Sequence, residues 1–361
     1  MSDVDAVLDA CSDPQIAHWI PFVPRPYTRE DAEAYVAGCL EAGANRYPFA
    51  IVDCDDTLLG SIDMSLNAHL YRGHIGYWVA RAARGRGVMV IDATNGNMIW
   101  QAGPSGSANL TVSGMKYSIA ADMMVFDRDG DGFSDRIYAA DTGGNIWRID
   151  IDSADTSDWT VTRLAALGGG GANPRKFLYA PDVVLASPSD GQSYDAVLVG
   201  SGDREHPFDT TVTNRFYLIK DTNTGKTVNA GFTTITEADL YDTTGNVIQE
   251  GTTTQIQAAK AALDAARGWY ITLGSGEKVV GRAVTLGGSV FFGTNQPSSV
   301  SSSACNNLGV ARIYSLNFKD GSATLNLCTS NGAALGSCDR SQVIQGGGFL
   351  PSPTPVTVNI D

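Results

Sequence analysis

Hydrophobic and polar positions fall into two textures along the 361-residue chain. Up to about residue 88 the pattern is mixed α and β. Thr28 followed by Asp31 has the form of a helix N-cap with an acidic first turn, since a threonine oxygen can accept a free backbone N–H there. Ala32, Tyr35, Val36 and Cys39/Leu40 then recur at helical spacing until Gly43, which predicts an amphipathic helix. Short strands are predicted at Tyr47–Asp53, Leu58–Leu66 and His74–Val79, with the acidic turn Asp53–Asp56 joining the first two.

Beyond residue 88 short runs of Val, Ile, Tyr and Phe alternate with Gly, Asn and Asp, the pattern of an all-β sandwich, barrel or propeller. Internal similarity favours the propeller. Val88–Trp100, Arg136–Asp150 and Arg215–Lys226 share one plan, and Ala311–Gly321 follows it more weakly. Each has a β-run, then Asp or Asn, then a glycine-containing turn, and the first two close on a Trp. Two strands around a turn whose glycine supplies positive φ would make the inner hairpin of a blade. The expected fold is therefore mainly β: a partial or modified β-propeller of about four recognisable blades, preceded by a truncated α+β fragment. The corresponding domains are residues 1–88 and 89–361. One helix is predicted within the second, at Thr254–Arg267, where alanines fall at helical spacing.

Composition narrows the function classes. Apolar residues make up 43% of the chain, enough for a core and against intrinsic disorder. No stretch approaches the roughly 20 apolar residues of a membrane-spanning helix. A net charge of −14 argues against nucleic-acid binding through bulk charge. Both textures are acidic, but lysine separates them: the first of seven is Lys116. The segment Met1–Asp13 lacks the charged and apolar regions of a secretory signal, so the chain as written is expected in the cytoplasm. Cys11, Cys39 and Cys54 read as small apolar side chains of a cytosolic protein. Cys305, Cys328 and Cys338 lie in a Ser/Gly/Asn-rich stretch, the setting of a loop disulfide in an exported protein, with the pairing open. None of the six forms a CxxC pair, and no histidine cluster accompanies them, so zinc is not expected.

The sharpest chemical signal is Asp127-Arg-Asp129-Gly-Asp131-Gly-Phe133-Ser-Asp135. Carboxylates at positions 1, 3, 5 and 9, glycine at 6 and a backbone carbonyl at 7 reproduce the first nine positions of an EF-hand loop. Hard oxygen ligands crowded this closely repel one another without a cation, and the expected cation is Ca²⁺. Position 12 is Tyr138 where an EF-hand has Glu, and the flanks are β-like, so the expectation is a compact Ca²⁺ loop between two strands. The alternative is a solvated Asp/Gly turn. Asp203-Arg-Glu-His206 reads as an ion-paired network pinning a turn, with His206 as general base the alternative. Trp100 and Trp147 fit repeat-core packing, with a quinone-docking surface as second reading. Arg84-Gly85-Arg86-Gly87 follows a predicted strand and could hold a pyrophosphate if a helix began next, but Val88 onward reads as strand and turn.

The second texture resembles the C-terminal propeller domain of the PilY/PilC family of type IV pilus-associated proteins. Val199–Phe208, Asn214–Asp221, Gly268–Val280, Phe291–Pro297 and Leu308–Phe318 carry the resemblance, together with the Asp127 loop and the blade after it. It implies Ca²⁺ held by Asp127, Asp129, Asp131 and Asp135 with the Phe133 carbonyl. It also implies a non-enzymatic role in pilus biogenesis, adhesion and twitching motility, in which Ca²⁺ occupancy shifts pilus extension against retraction. Pilins, minor pilins and a host or surface receptor are the implied partners, at the cell surface. The family's long N-terminal portion and early blades are missing from this pattern. Residues 1–88 resemble the front of a GNAT-superfamily acetyltransferase of the ribosomal-protein-acetylating type, on Ile16–Pro21, Pro26–Ala34, Gly60-Ser-Ile and Gly76–Val88. That resemblance implies an acetyl-CoA loop at Arg84, Gly85, Arg86 and Gly87 and transfer to an N-terminal amine. The motif is cut where Met89 replaces a small residue and opens a strand, so the loop is expected to be vestigial. The chain reads as a join of two sources at residues 87–89.

Overall fold

A computed structural model describes residues 3–14, 16, 20, 23–43, 45–52, 57–67, 72–80, 87–92, 97–104, 108–171, 174–187, 191–298, 308–328 and 334–355. The chain divides into two compact units, Met1–Lys116 and Tyr117–Asp361.

The first unit opens with helices α1 (Asp3–Cys11) and α2 (Arg29–Leu40). The Thr28 side chain accepts the Asp31 N–H, as the N-cap expected from the sequence, and Asp31 accepts the Thr28 N–H at 2.8 Å, which completes a capping box. Helix α1 has no counterpart in the sequence reading. Its Val7, Ala10 and Cys11 are buried in a small core with Ala32 and Trp78. Strands β1 (Arg46–Val52), β2 (Leu58–Asn67) and β3 (Arg72–Val79) form an antiparallel sheet in that order. The acidic turn Asp53–Asp56 lies outside the described residues. A second sheet follows: β4 (Val88–Ile91) and β5 (Met98–Gly103) pair as the expected hairpin, and β6 (Leu110–Thr111) adds parallel to β5. The texture changes at residue 88, yet this hairpin belongs to the first compact unit.

Among the described residues the second unit contains three sheets. The first runs β10-β9-β8-β7, from β7 (Met124–Phe126), β8 (Arg136–Ala140), β9 (Asn145–Asp150) and β10 (Thr160–Ala166). The second runs β11-β12-β13-β15-β14, from β11 (Asp182–Ala186), β12 (Tyr194–Gly200), β13 (Arg215–Asp221), β14 (Tyr241–Asp242) and β15 (Gly268–Thr272). Helices α3 (Val247–Glu250) and α4 (Thr253–Ala265) are inserted between β14 and β15. Thr252 and Gln255 cap α4 reciprocally, two residues before the predicted start, and Ala259 and Leu263 face the core. The third sheet joins β16 (Lys278–Val279), β17 (Val284–Leu286), β18 (Ser289–Gln296), β19 (Val310–Asn317) and β20 (Ser341–Ile344), with β18 pairing both β16 and β17.

The second sheet is buried on both faces, which explains why its strands read as unbroken apolar runs. Val197, Val199, Tyr217 and Ile219 point into one core with Tyr138 and Ile146. Their neighbours Ala196, Leu198, Phe216 and Leu218 point into the other with Trp269, Val290 and Phe292. This is the period of two along a strand. Phe216 stacks on Phe292 at 3.9 Å, and Phe292 on Tyr314 at 4.7 Å.

The hairpin expected over Arg215–Lys226 does not form. Strand β13 ends at Asp221, and its partners are β12 and β15. The segment after it is held instead by arginines of the first sheet, as described below. Edge strands of the three sheets lie side by side, β11 against both β7 and β17. The Asp182 carboxylate accepts the Thr285 N–H at 2.7 Å, and Arg282 reaches Met124 Sδ at 3.4 Å. Among the described residues no closed propeller is present. Cys328 and Cys338 form a disulfide, and the buried Asp339 carboxylate gathers the N–H groups of Leu327, Cys328 and Gly336 beside it. Cys305 and Cys54 lie outside the described residues, while Cys11 and Cys39 are free thiols. Among the described residues no helix is long and apolar enough to cross a membrane.

Candidate cation loop and the buried ionic joint

Strands β7 and β8 pair antiparallel with Phe126 opposite Arg136, so the nine residues 127–135 form the loop of a hairpin. The Asp135 N–H donates to the Phe126 carbonyl at 3.0 Å and closes its base. Inside it the aspartates fold onto the backbone. Asp127 accepts the N–H groups of Gly130 and Gly132 at 2.7 and 3.0 Å, and Asp129 accepts that of Asp131 at 3.1 Å. Asp135 Oδ2 accepts those of Arg128 and Asp129. Gly130 and Gly132 hold φ of 80° and 94°, a region that costs a side chain bearing Cβ about 1 kcal/mol or more.

The result brings carboxylate oxygens of Asp127, Asp129 and Asp135 within 4.8 Å of one another. Asp131 is not one of this trio, and its carboxylate accepts the Phe133 N–H at 2.8 Å. Phe133 is 77% exposed at the tip. Three hard oxygen donors, with no nitrogen or sulfur among them, suit Ca²⁺ better than a transition metal.

The loop adjoins a feature the sequence reading missed. Arg136 and Arg148, both buried, meet Asp150, Asp195 and Asp221. Arg136 Nε reaches Asp150 at 3.1 Å, and another of its nitrogens pairs with Asp195. Arg148 reaches Asp150 at 2.7 Å and Asp221 at 2.9 Å. The Tyr138 hydroxyl lies 2.9 Å from both Asp195 and Asp221. The carbonyl of Gly225 accepts from both arginines and that of Asn223 from Arg148, which is why the chain after β13 turns away instead of pairing. These groups join the first sheet to the second. Burial holds Asp150 above the usual carboxylate range although Arg148 and Arg136 pull it down. Burial, then Asp221 and Asp195, pushes the Tyr138 phenol far up, so it stays neutral. The sequence carries one signal for this cluster: arginines inside otherwise apolar β-runs must find counter-charges if buried.

Lys176 Nζ lies 2.6 Å and His206 Nδ1 2.9 Å from Asp203, an ion-paired turn with the imidazole largely exposed. A cavity of about 300 Å³ beside it is lined by Pro174, Asn214 and Lys278 among others. Lys278 is buried, and its ammonium donates to the carbonyls of Pro207, Asp209 and Gly276. Trp147 donates its indole N–H to the buried Asp141 at 2.8 Å, and Trp100 is 1% exposed, both packed as repeat-core residues. Arg84, Gly85 and Arg86 lie outside the described residues. Gly87 leads directly into β4, and a Cβ there would lie 2.0 Å from the Ala102 carbonyl oxygen. Its glycine is explained by strand packing. The free N–H groups of a helix start, which a pyrophosphate needs, do not follow it.

Comparison with known proteins bears on both textures. The sequence model of the acetyltransferase (GNAT) domain matches residues 1–93. A type IV pilus biogenesis factor PilY1 homolog of Xylella fastidiosa (strain Temecula1 / ATCC 700964) is 25% identical over 288 residues, covering 75% of this chain. The chain spans 18% of that relative's length. Among solved structures, the C-terminal domain of Pseudomonas aeruginosa PilY1 aligns over 84% of this chain and 67% of its own, at 16% identity and a TM-score of 0.49. The chain is thus similar to a PilY1 homologue over three quarters of its length and to the GNAT acetyltransferases over its first 93 residues.

Proposed function

We propose that the second unit is a Ca²⁺-binding β module of a protein acting in type IV pilus biogenesis, non-enzymatic and arranged as a modified propeller. The observation that carries this reading is the convergence of Asp127, Asp129 and Asp135 in a chain similar to a pilus biogenesis factor. These three side chains would hold the ion, with Asp131 and the Phe133 carbonyl as further ligands. The ion's role is electrostatic: it neutralises carboxylates that otherwise repel. Asp135, 8% exposed and tied to the backbone at 128 and 129, fixes the loop around it. The side-by-side edge strands of three sheets support a radial, blade-like arrangement. At the cell surface, with pilins, minor pilins or a receptor as partners, occupancy would bias pilus extension against retraction.

Calorimetric titration tests the site. Wild type is expected to bind Ca²⁺ with Kd of about 1 μM or weaker, because no bidentate Glu completes the loop. Asp129→Ala is expected to lose that heat. Equal heats from the two proteins overturn the assignment.

The match over residues 1–93 favours a second reading for the first unit, acyl transfer from acetyl-CoA to an N-terminal amine. The strand that follows Gly87 stands against it. A thermal shift with CoA that Arg84→Ala abolishes would establish this reading, and its absence would leave the segment without that activity.

A further inference from the structure

We infer that Arg128 is a positioning residue through which a cation in the Asp127–Asp135 loop tightens the joint between the first and second sheets of the second unit. This rests on the Ca²⁺ reading above. Arg128 stands between two of the converging aspartates, and its two ends serve different structures. Its backbone N–H donates to Asp135 Oδ2, the oxygen that also takes the Asp129 N–H at 3.3 Å. Its side chain crosses to the other sheet, where Nε donates to Asp195 Oδ1 at 3.0 Å. Asp195 lies on β12 and is fully buried. Its second oxygen is taken by Arg136 and by the Tyr138 hydroxyl at 2.9 Å. Tyr138 in turn reaches Asp221 at 2.9 Å, and Asp221 holds Arg148. One residue therefore connects the loop's carboxylates to the whole ionic joint.

The coupling follows from charge. Without a cation the three carboxylates repel, and the repulsion is relieved when residues 127–135 spread. Spreading pulls the backbone of Arg128 away from Asp135 and its guanidinium from Asp195. A divalent cation reverses both movements, because the carboxylates must stay together to hold it. Binding and the Arg128–Asp195 pair then favour the same state, and each strengthens the other by the same factor. The Arg128 side chain is 22% exposed, and a methionine in its place keeps a stem of similar length along the same path.

The test is hydrogen exchange and calcium titration on the intact chain, in wild type, Arg128→Met and Arg128→Lys. In wild type, Ca²⁺ is expected to slow exchange both in residues 127–135 and across the sheet boundary in Tyr194–Gly200. In Arg128→Met, Kd for Ca²⁺ is expected to rise about tenfold, within the usual range of such couplings. Protection in Tyr194–Gly200 should no longer respond to Ca²⁺, while protection in the loop still does. Arg128→Lys, which keeps a charge within reach of Asp195, should recover part of the response. A residue with a merely structural part would lower stability equally with and without Ca²⁺, and that outcome overturns the inference. So does Arg128→Met with wild-type affinity and wild-type response at Tyr194–Gly200. Wild type that binds no Ca²⁺ overturns the Ca²⁺ reading itself, which the Arg128 variants alone would not reach.

Discussion

Asp150, Asp195 and Asp221 are at most 3% exposed, and each meets a guanidinium. Asp127, Asp129 and Asp135 crowd one another near the surface and are held by backbone N–H groups. Both clusters face the same problem of like charges in a small volume. The buried one is balanced from within the chain, since an unpaired interior carboxylate is too costly to keep ionised. The loop is near enough to water that its counter-charge can come from outside. A permanent joint and an exchangeable site differ here in where the cation comes from.

The largest expected effect breaks this contrast directly. Asp195→Ala should cost about 3–5 kcal/mol in urea denaturation, because it breaks a buried ionic network, leaving Arg128 unpaired and Arg136 with Asp150 as its remaining carboxylate. Asp129→Ala in a chelator should change stability by no more than about 0.5 kcal/mol. Equal costs would mean the two clusters are one structural network. An intermediate case is Asp203. Burial pushes its carboxyl up, but Lys176 and His206 outweigh this and hold it below the usual range. A carboxyl lowered by folding contributes stability in full above its unfolded value, about 3.9, and loses it as pH falls through the folded value. The melting-temperature gap between wild type and Asp203→Asn should therefore be full at neutral pH and close as pH falls below the ordinary carboxylate range. A constant gap would show that the ion pair does not stabilise the turn. The smallest effect concerns Lys226, an exposed ammonium paired with Asp152 at 2.8 Å and within electrostatic reach of Asp129 and Asp135. Lys226→Gln should tighten Ca²⁺ binding about two- to fivefold at low salt, an increase that added salt removes. Unchanged affinity would show that the loop does not sense its neighbour's charge.

Much of the fold could be read from local patterns. The Thr28 cap, the hairpins at Val88–Trp100 and Arg136–Asp150 and helix α4 each follow from signals within a dozen or so residues. The aspartate loop was legible for the same reason, since its spacing sets its geometry. What stayed hidden depends on distant partners. Arg136 and Asp195 are 59 residues apart, and no spacing rule links them. The failed hairpin at Arg215–Lys226 has the same origin: its turn residues matched the repeat, but Asn223 and Gly225 gave their carbonyls to arginines of another sheet. Helix α1 went unread although Ser2 and Asp5 stand three residues apart ahead of its apolar run, and its Val7, Ala10 and Cys11 pack with Ala32 and Trp78.

Lys278 carries the contrast between internal and external cations one step further. Its ammonium sits among the carbonyls of Pro207, Asp209 and Gly276 much as an alkali ion sits in a crown ether. The chain has in effect grown its own monovalent ion on a four-carbon tether and chelated two loops around it. Burial lowers its pKa, with Asp209 and Asp203 opposing. The unfolded chain therefore holds this proton more tightly than the folded one, and the cost of enclosing the ion fades as pH rises toward the ordinary lysine range. Such a chelate cannot be emptied by a chelator or refilled from solution, because its ion is part of the chain.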